Sequence, residues 1–484
     1  MGTGAQIPLE PFGIRYDTAS QPASLSSRLR AWQLRDSRNI QVAVVYGFLL
    51  KGWTGPGIDV QEDQVRLNFP VETVEQLERQ VLMGLHGMYQ VVTQAPLPRR
   101  LYLDAGGSVP AIYCVRTGRI ASSAHMLFGQ KEYQDRFIAD RYERLVAQEG
   151  HGWISGTLTA HADAVRLLPN HYLDLERLSA HRYWPHYPDF QVQMPLETAA
   201  QTIAAAIRGY VEACAREHTI LITATAGFDS RILIAAARNV ADRVSFVTFG
   251  QLGDGLDQYM AARMAQGLNL RHTLEPIIPA DHQEQKRWDA YVGHCVREIN
   301  RLIHPTLSAV SGDLMLTGMY GETGRSRLYR QDTDTINNQP ATASFIVSRL
   351  TLPLDSELLR NIEKWLDPIR TLPRSAVLDL AFNELKFASW AMGQAPVQKA
   401  MKWSLMPFAQ YQVQQAFMSV PPAVKGTSAL FDRIGEILWP EAMSFPINRY
   451  GDWRDRFGKL AKITNREAWV RYLRDRRAGH KRAA

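Results

Sequence analysis

The chain has 484 residues, of which 45% are hydrophobic and 21% are charged, and its formal net charge is +7 at pH 7. This size predicts two or three globular domains, and no apolar run approaches the roughly 20 residues that a membrane-spanning helix needs. Cys114, Cys214 and Cys295 are too widely spaced for a disulfide framework or a Cys-x-x-Cys metal site. The opening residues lack a basic start followed by an apolar core, so we expect a cytoplasmic protein without a membrane partner.

Residues 1–195 are predicted to form a strand-rich domain. This prediction is based on apolar, β-branched runs that are separated by turns containing glycine and proline. The composition becomes polar and proline-rich near Pro185, which predicts a boundary near Pro195. The clearest signals are strands at 41–50, 100–104 and 111–115, and helices at about 74–83 and 133–146.

Residues 196–484 are predicted to form an α/β domain with a helical extension after about Ile336. A βαβαβ run predicts a parallel sheet that binds ligands at the carboxyl ends of its strands. The predicted elements are a helix at about 196–216, strands at 220–222, 244–250 and about 272–278, and helices from 232 and at about 256–267.

A small-residue turn at 225–230 joins the first of these strands to its helix. The unpaired N–H groups and the positive dipole end of a helix N-terminus favour an anion, so the turn predicts a phosphate cradle. Gly227 permits close backbone approach or a positive φ, and Asp229 can hold a cation that bridges phosphates. The alternative is an ordinary strand-to-helix turn. The candidate ligand-binding residues here are Thr225, Ala226, Gly227, Asp229, Ser230 and Arg231.

A second glycine-rich turn, 317–325, follows the short strand predicted at 314–316. Parallel neighbours would bring this turn beside Asp229, where Glu322 could share a Mg²⁺. The alternative is a glycine-capped loop. Arg231 and Arg325 each flank one turn and could bind a phosphate or a substrate carboxylate, unless they are ordinary surface arginines.

These turns resemble those of the asparagine synthetase family, which belongs to the ATP pyrophosphatases and includes β-lactam synthetase and lasso-peptide macrolactam cyclases. The family's first turn, Ser-Gly-Gly-x-Asp-Ser, matches 225–230 at four of its five specified positions when Thr225 counts for Ser, and Ala226 replaces the first glycine. The family's second turn reads Ser-Gly-x-Gly-x-Asp-Glu. Thr317 and Gly318 correspond to its first two residues, and Glu322 stands at the position of its Asp. Tyr320 replaces its second glycine. Further similar segments are Asp257 with Ala261 and Ala265, Met406-Pro407-Phe408, and 103–113.

The resemblance implies an Ntn-hydrolase-like β-sandwich of α+β class for residues 1–195. Glutamine-dependent members begin with a cysteine nucleophile that is activated by its own amine. This chain begins Met1-Gly2, so we expect a degenerate domain without glutaminase activity.

For the second half, the resemblance implies an enzyme that uses ATP and Mg²⁺ to adenylate a carboxylate, which an amine then attacks. Asp229 and Glu322 would hold the metal, and the backbones of Thr248 and Gly318 would border the adenosine. Relatives use a late lysine to stabilise the charge of the second step. Arg449 occupies the corresponding place, and the fallback candidates are Lys425 and Lys459.

We therefore predict an AMP-forming carboxylate–amine ligase of natural-product or peptide modification. Its partners would be a small-molecule or peptide carboxylate and an amine, with a pathway partner protein left open and nucleic acid not expected. The alternatives are ammonia-dependent asparagine synthesis and an inactive nucleotide-binding scaffold. The seven Lys and Arg residues in 466–482 predict either a solvated terminal helix or a docking strip for an acidic peptide or RNA.

Overall fold

The computed structural model describes residues 10–18, 21–27, 29–147, 152–185, 193–250 and 255–455. Three β-sheets run through these ranges. The basic segment 466–482, Lys459, and Met1 with Gly2 lie outside them. No helix among the described residues is both long and apolar enough to cross a lipid bilayer.

The first half of the chain is rich in strands, as predicted. One antiparallel sheet has the order β11-β9-β10-β1-β2, and a mixed eight-stranded sheet has the order β13-β12-β8-β7-β4-β3-β6-β5. The two sheets share one core, in which the Tyr16 hydroxyl donates to Gln90 Oε1 at 2.9 Å. The strands are β1 (Ile14–Thr18), β2 (Gln21–Leu25), β3 (Arg30–Arg35), β4 (Gln41–Leu49), β5 (Ile58–Val60), β6 (Gln64–Leu67), β7 (Gly87–Thr93), β8 (Arg100–Leu103), β9 (Ala111–Tyr113), β10 (Ile120–Ala121), β11 (Val165–Leu167), β12 (His171–Asp174) and β13 (Ser179–Arg182).

Four short helices interrupt these strands: α1 (Val74–Gln76), α2 (Ala124–Leu127), α3 (Gln130–Asp135) and α4 (Ala139–Tyr142). The π-helical turns 77–82 and 143–147 extend α1 and α4. The continuous helix predicted for 133–146 is wrong, because Phe137 forms a β-bridge with His161 and the Ile138 amide donates to Ala160. Long-range backbone pairing there overrides the helical sequence pattern.

A parallel five-stranded sheet forms the centre of the second half, as predicted. Its strands are β14 (Ile220–Thr223), β15 (Val244–Phe249), β16 (His272–Glu275), β17 (Leu314–Leu316) and β18 (Ser404–Leu405), in the order β16-β15-β14-β17-β18. The order of the strands reverses between β14 and β17, which is where open α/β sheets form a crevice for ligands. The sequence did not predict β18, because two residues are too few to show a pattern.

Helices cover this sheet and make up the rest of the chain. Three 3₁₀ or π segments matter for packing: 321–325, which follows β17, 381–391 and 407–409. The helices are α5 (Leu196–Glu217), α6 (Phe228–Ala236), α7 (Leu256–Leu268), α8 (His282–Tyr291), α9 (Asn300–Ile303), α10 (Thr306–Ala309), α11 (Ala343–Arg349), α12 (Ser356–Leu366), α13 (Arg374–Leu380), α14 (Ala395–Met401), α15 (Tyr411–Ser419), α16 (Pro422–Lys425), α17 (Ala429–Leu438) and α18 (Pro440–Met443).

The core is continuous across the boundary predicted near Pro195. Helix α5 begins at Leu196, and its small and branched apolar residues are buried in one cluster with strands of both halves. Two polar contacts also connect the two halves of the chain. Trp53 Nε1 donates to Gln410 Oε1 at 3.1 Å, and Arg182 forms a buried ion pair with Glu384 at 2.5 Å. The strand-rich half therefore supports the parallel sheet directly.

Two buried histidines make the fold sensitive to acid. Burial lowers the pKa of His86 from 6.5 to about 4 and that of His161 to about 3, and neither ring nitrogen of His161 has a partner among the described residues. Below pH 6.5 these two histidines bind protons in the unfolded chain but stay neutral in the folded chain until a lower pH. Their contribution to stability is complete above pH 6.5 and falls as the pH drops towards about 4.

We expect the free energy of unfolding to decrease by up to about 1.4 kcal/mol per pH unit for each buried histidine as the pH falls below its usual pKa. His161→Phe should flatten this dependence, because the ring joins the aromatic side chains of Tyr133 and Phe137 without a group to protonate. The exposed His181 provides the control, His181→Gln. Urea unfolding between about pH 8 and about pH 5 measures the slope, and equal slopes for wild type and His161→Phe would contradict the prediction.

Candidate functional site

The first turn connects β14 to α6 and is closed by its own hydroxyl groups. Thr225 Oγ1 lies 2.7 Å from Ser230 Oγ, and the Gly227 amide donates to Thr225 Oγ1 at 3.3 Å. Gly227 has a φ of −81° at the N-cap of α6, so of its two predicted roles the positive φ is wrong. The turn therefore has the predicted strand–turn–helix geometry, with the N-terminus of a nine-residue helix at the carboxyl edge of the sheet.

The second turn lies directly against Asp229. A Cβ atom on Gly318 would be 2.7 Å from Asp229 Cβ, and one on Gly321 would be 2.4 Å from Asp229 Oδ1. Any side chain at either position would force the two turns apart. The juxtaposition expected from neighbouring parallel strands is therefore observed, and two glycines are what allow it.

Tyr320 adopts a backbone conformation that glycine normally provides, with φ of +74°. Its ring is buried and stacks on Phe387 at a centroid distance of 4.4 Å, and its hydroxyl donates to the Gly106 carbonyl at 2.7 Å. These contacts offset the cost of the left-handed conformation. Tyr320, which replaces a glycine of the similar motif, thus keeps a glycine-like backbone. Its hydroxyl also connects the second turn to the strand-rich half.

One carboxylate oxygen of Asp229 pairs with an arginine, and the other is buried against the second turn. Arg325 Nη2 lies 2.5 Å from Asp229 Oδ2, whereas Oδ1 is buried and has no hydrogen-bond partner among the described residues. Burial raises the pKa of Asp229 from 3.8 to about 6; Arg325 opposes the shift and the charge of Glu322 adds to it. Asp229 thus has one oxygen without a hydrogen-bond partner among the described residues and a second that Arg325 occupies.

Asp229 and Glu322 fit a metal ion that binds together with phosphates. The described residues contain no cluster of three or more His, Cys, Asp or Glu side chains suited to a metal. A Mg²⁺ on a nucleotide needs only one or two carboxylates, because phosphate and water oxygens complete its coordination. Asp229 Oδ1 and the partly exposed Glu322 could supply these two oxygens.

Arg231 does not face the turn. Its guanidinium is fully buried and donates to the carbonyl groups of Ala442 at 3.0 Å, Phe445 at 2.9 Å and Pro446 at 3.1 Å. Burial lowers its pKa to about 10. Arg231 therefore fixes the segment after α18 onto α6, and the expectation of a phosphate contact from this residue is corrected.

The segment predicted to supply the late cation does reach the first turn, but through Asn448. The Asn448 amide donates to the Ala226 carbonyl at 2.8 Å, while Arg449 next to it is exposed. Lys425 is no substitute, because it is buried in an ion pair with Asp379, which also accepts from Tyr329. Of Arg449 and Lys425, the two candidates that the structure describes, Arg449 is thus the one that lies near the turn and is exposed.

Thr248 and Asp257 are the residues that β15 and α7 bring to the first turn. Thr248 Oγ1 donates to the Ala224 carbonyl at 2.7 Å and lies 2.9 Å from His272 Nε2, and the residue pairs with Leu274 of β16, so it is engaged within the sheet. Asp257 Oδ1 accepts from the Ala226 amide at 2.8 Å. The sequence alone indicates no contact between Asp257 and the turn. The signal for its role is topological, since β15 neighbours β14 and the helix after it begins beside the turn.

Comparisons with known proteins add no assignment. No protein-family model matches the chain, and no curated protein sequence matches it at a significant level. The resemblance to asparagine synthetases therefore stays a prediction, and the functional argument depends on the geometry of the two turns.

We expect Gly318→Ala to destabilise the protein by about 2 to 3 kcal/mol, because the new methyl group meets Asp229 backbone and Cβ atoms that do not move independently. The matched control is Gly227→Ala on the facing turn, where the added Cβ would be 3.5 Å from its nearest neighbour and φ is already negative. That change should cost below about 1 kcal/mol. Urea unfolding of the two variants measures the difference, and equal costs would argue against close packing of the turns.

Proposed function

We propose that this protein is an ATP-dependent, AMP-forming carboxylate–amine ligase without glutaminase activity. It would adenylate a carboxylate, release pyrophosphate and pass the acyl group to an amine, with loss of AMP. The observation that carries the proposal is the contact of two glycine-containing turns, one with Asp229 and one with Glu322, at the carboxyl edge where the strand order reverses.

The first turn would bind the pyrophosphate portion of ATP. Thr225 and Ser230 offer hydroxyl groups, Gly227 offers its amide, and the positive end of α6 favours negative charge. The Ala226 amide now donates to Asp257, so a phosphate at that amide must displace a carboxylate. The backbones of Thr248 and Gly318 would border the adenosine.

Asp229 and Glu322 would hold Mg²⁺, which when bound would neutralise charge on the departing pyrophosphate. Arg325 must then leave Asp229 Oδ2 or share it. Arg449 would stabilise negative charge as the amine attacks the acyl group, and a guanidinium serves there electrostatically rather than as a proton donor.

The amine would be ammonia, a second substrate or a group on the same molecule; the last case gives ring closure in natural-product or peptide modification. Ammonia-dependent asparagine synthesis is the narrower form of the same chemistry. In each case the strand-rich half would act as structural support, through contacts such as Tyr320 on Gly106.

A nucleotide-binding scaffold without catalysis is the second candidate. Two contacts favour it: Arg325 pairs with the proposed metal carboxylate, and Asp257 occupies an amide of the phosphate turn. If both contacts persist when a nucleotide binds, the reaction cannot be supported.

We expect pyrophosphate release from Mg-ATP that depends on an added amino acid, peptide or ammonia, and that falls about 100-fold or more in Asp229→Asn. Asp313→Asn is the matched control, because Asp313 precedes β17 at the opposite edge of the same sheet and should change the rate less than about twofold. The assay quantifies pyrophosphate, and binding of a non-hydrolysable ATP analogue is measured in parallel. Analogue binding without pyrophosphate release from any compound would favour the scaffold, and equal loss in both variants would argue against the site.

A further inference from the structure

A cavity of about 250 Å³ adjoins the second turn on the side of Arg325 and is lined mostly by arginines. We call it the arginine pocket; its lining includes Glu322, Arg325, Arg327, Arg330, Gln331 and Arg349. The lining thus contains four arginines and one carboxylate residue. Arginines are charged throughout the physiological pH range and repel one another in a shared cavity unless anions lie between them.

Internal ion pairs use up part of this charge. Arg325 pairs with Asp229, and Arg349 pairs with Asp332. Arg327 Nε lies 3.8 Å from Glu322, which is longer than a hydrogen bond, and its side chain is 61% exposed. Arg330 is exposed and donates Nε to the Gly426 carbonyl. Most donors of Arg327 and Arg330 are therefore directed at the cavity or at solvent.

Three polar atoms of the two turns and of the residue after the second turn are buried without a partner. Asp229 Oδ1, Arg325 Nε and Ser326 Oγ are buried and have no hydrogen-bond partner among the described residues. Such atoms cost free energy unless water or a ligand satisfies them. Arg325 connects the first turn to the pocket, because its guanidinium contacts Asp229 and the residue is part of the pocket lining.

We infer that the arginine pocket is a second oxyanion site, and that an oxyanion bound there draws Arg325 away from Asp229. Guanidinium groups bind carboxylates and phosphates through paired N–H donors, so either group fits. An oxyanion in the pocket would replace Asp229 as the negative charge beside Arg325. Asp229 Oδ2 would then be free of its ion pair. This inference rests on the proposed function for the role of Asp229, but the anion site itself does not.

The oxyanion has two sources in an adenylating enzyme. One is a further carboxylate of the acyl substrate, held beside the carboxylate that is activated. The other is pyrophosphate on its way out of the site. Succinate and inorganic pyrophosphate serve as probes for the two sources.

Calorimetric titration of each probe into wild type, Arg327→Gln and Arg330→Gln tests the site. We expect the Kd of at least one probe to rise about tenfold in both variants, because each loses a charge-assisted contact. Both arginines are exposed, so the variants should fold normally. Arg177→Gln removes the same charge from an exposed turn of the strand-rich half and should leave both Kd values within about twofold.

The two probes separate the sources. Loss of affinity for succinate alone assigns the pocket to a substrate carboxylate, and loss for pyrophosphate alone assigns it to the product. Equal Kd values in wild type and both variants, or no measurable binding of either probe to wild type, would overturn the site.

A second titration tests the link to Asp229. A Mg-bound, non-hydrolysable ATP analogue should bind wild type several-fold more tightly when succinate saturates the pocket, and this gain should vanish in Arg330→Gln. Succinate is the probe here because pyrophosphate would compete with the analogue for the first turn. An unchanged analogue Kd would overturn the release of Arg325. If the analogue fails to bind wild type under any condition, the proposed function is wrong, while the result of the probe titrations stands.

Discussion

The contact of Gly318 and Gly321 with Asp229 is the constraint on which the candidate site depends. Two strands that are neighbours in the sheet but about 90 residues apart in the chain bring their turns together, and hydrogen atoms in place of side chains let the backbones meet. This packing removes Asp229 from water and raises its pKa. It also sets the carboxylate within reach of Arg325 and of the charge on Glu322.

Several groups suited to binding a nucleotide are paired with each other in this structure. The Ala226 amide donates to Asp257, and the Ala226 carbonyl accepts from the Asn448 amide. Arg325 forms an ion pair with Asp229. Each contact satisfies a polar group that would otherwise lack a hydrogen-bond partner. An unpartnered polar group costs more free energy when it is buried than when it lies at the surface, where water can bind it. A ligand must exchange these partners for its own, so binding and rearrangement of the site are energetically linked.

The strand-rich half contributes to the site although it carries no catalytic residue of the proposed reaction. Tyr320 keeps a left-handed backbone at the centre of the second turn because its ring lies on Phe387 and its hydroxyl reaches Gly106. A continuous core through α5 makes this support rigid. The strand-rich half therefore holds the second turn through packing and one hydrogen bond.

The sequence by itself determined the two turns and the elements that flank them, because strand and helix periodicities and the glycine–hydroxyl turns are local signals: β14, β15, β17, α5 and α7 lie close to their predicted positions. It did not determine which polar atoms meet. Arg231 and Arg325 flank equivalent turns, yet one is buried against three carbonyl groups and the other pairs with Asp229. Asp257, Asn448 and the arginine pocket likewise follow from strand order and loop packing. Contacts between residues distant in the chain depend on how the elements stack, and only the tertiary structure decides that.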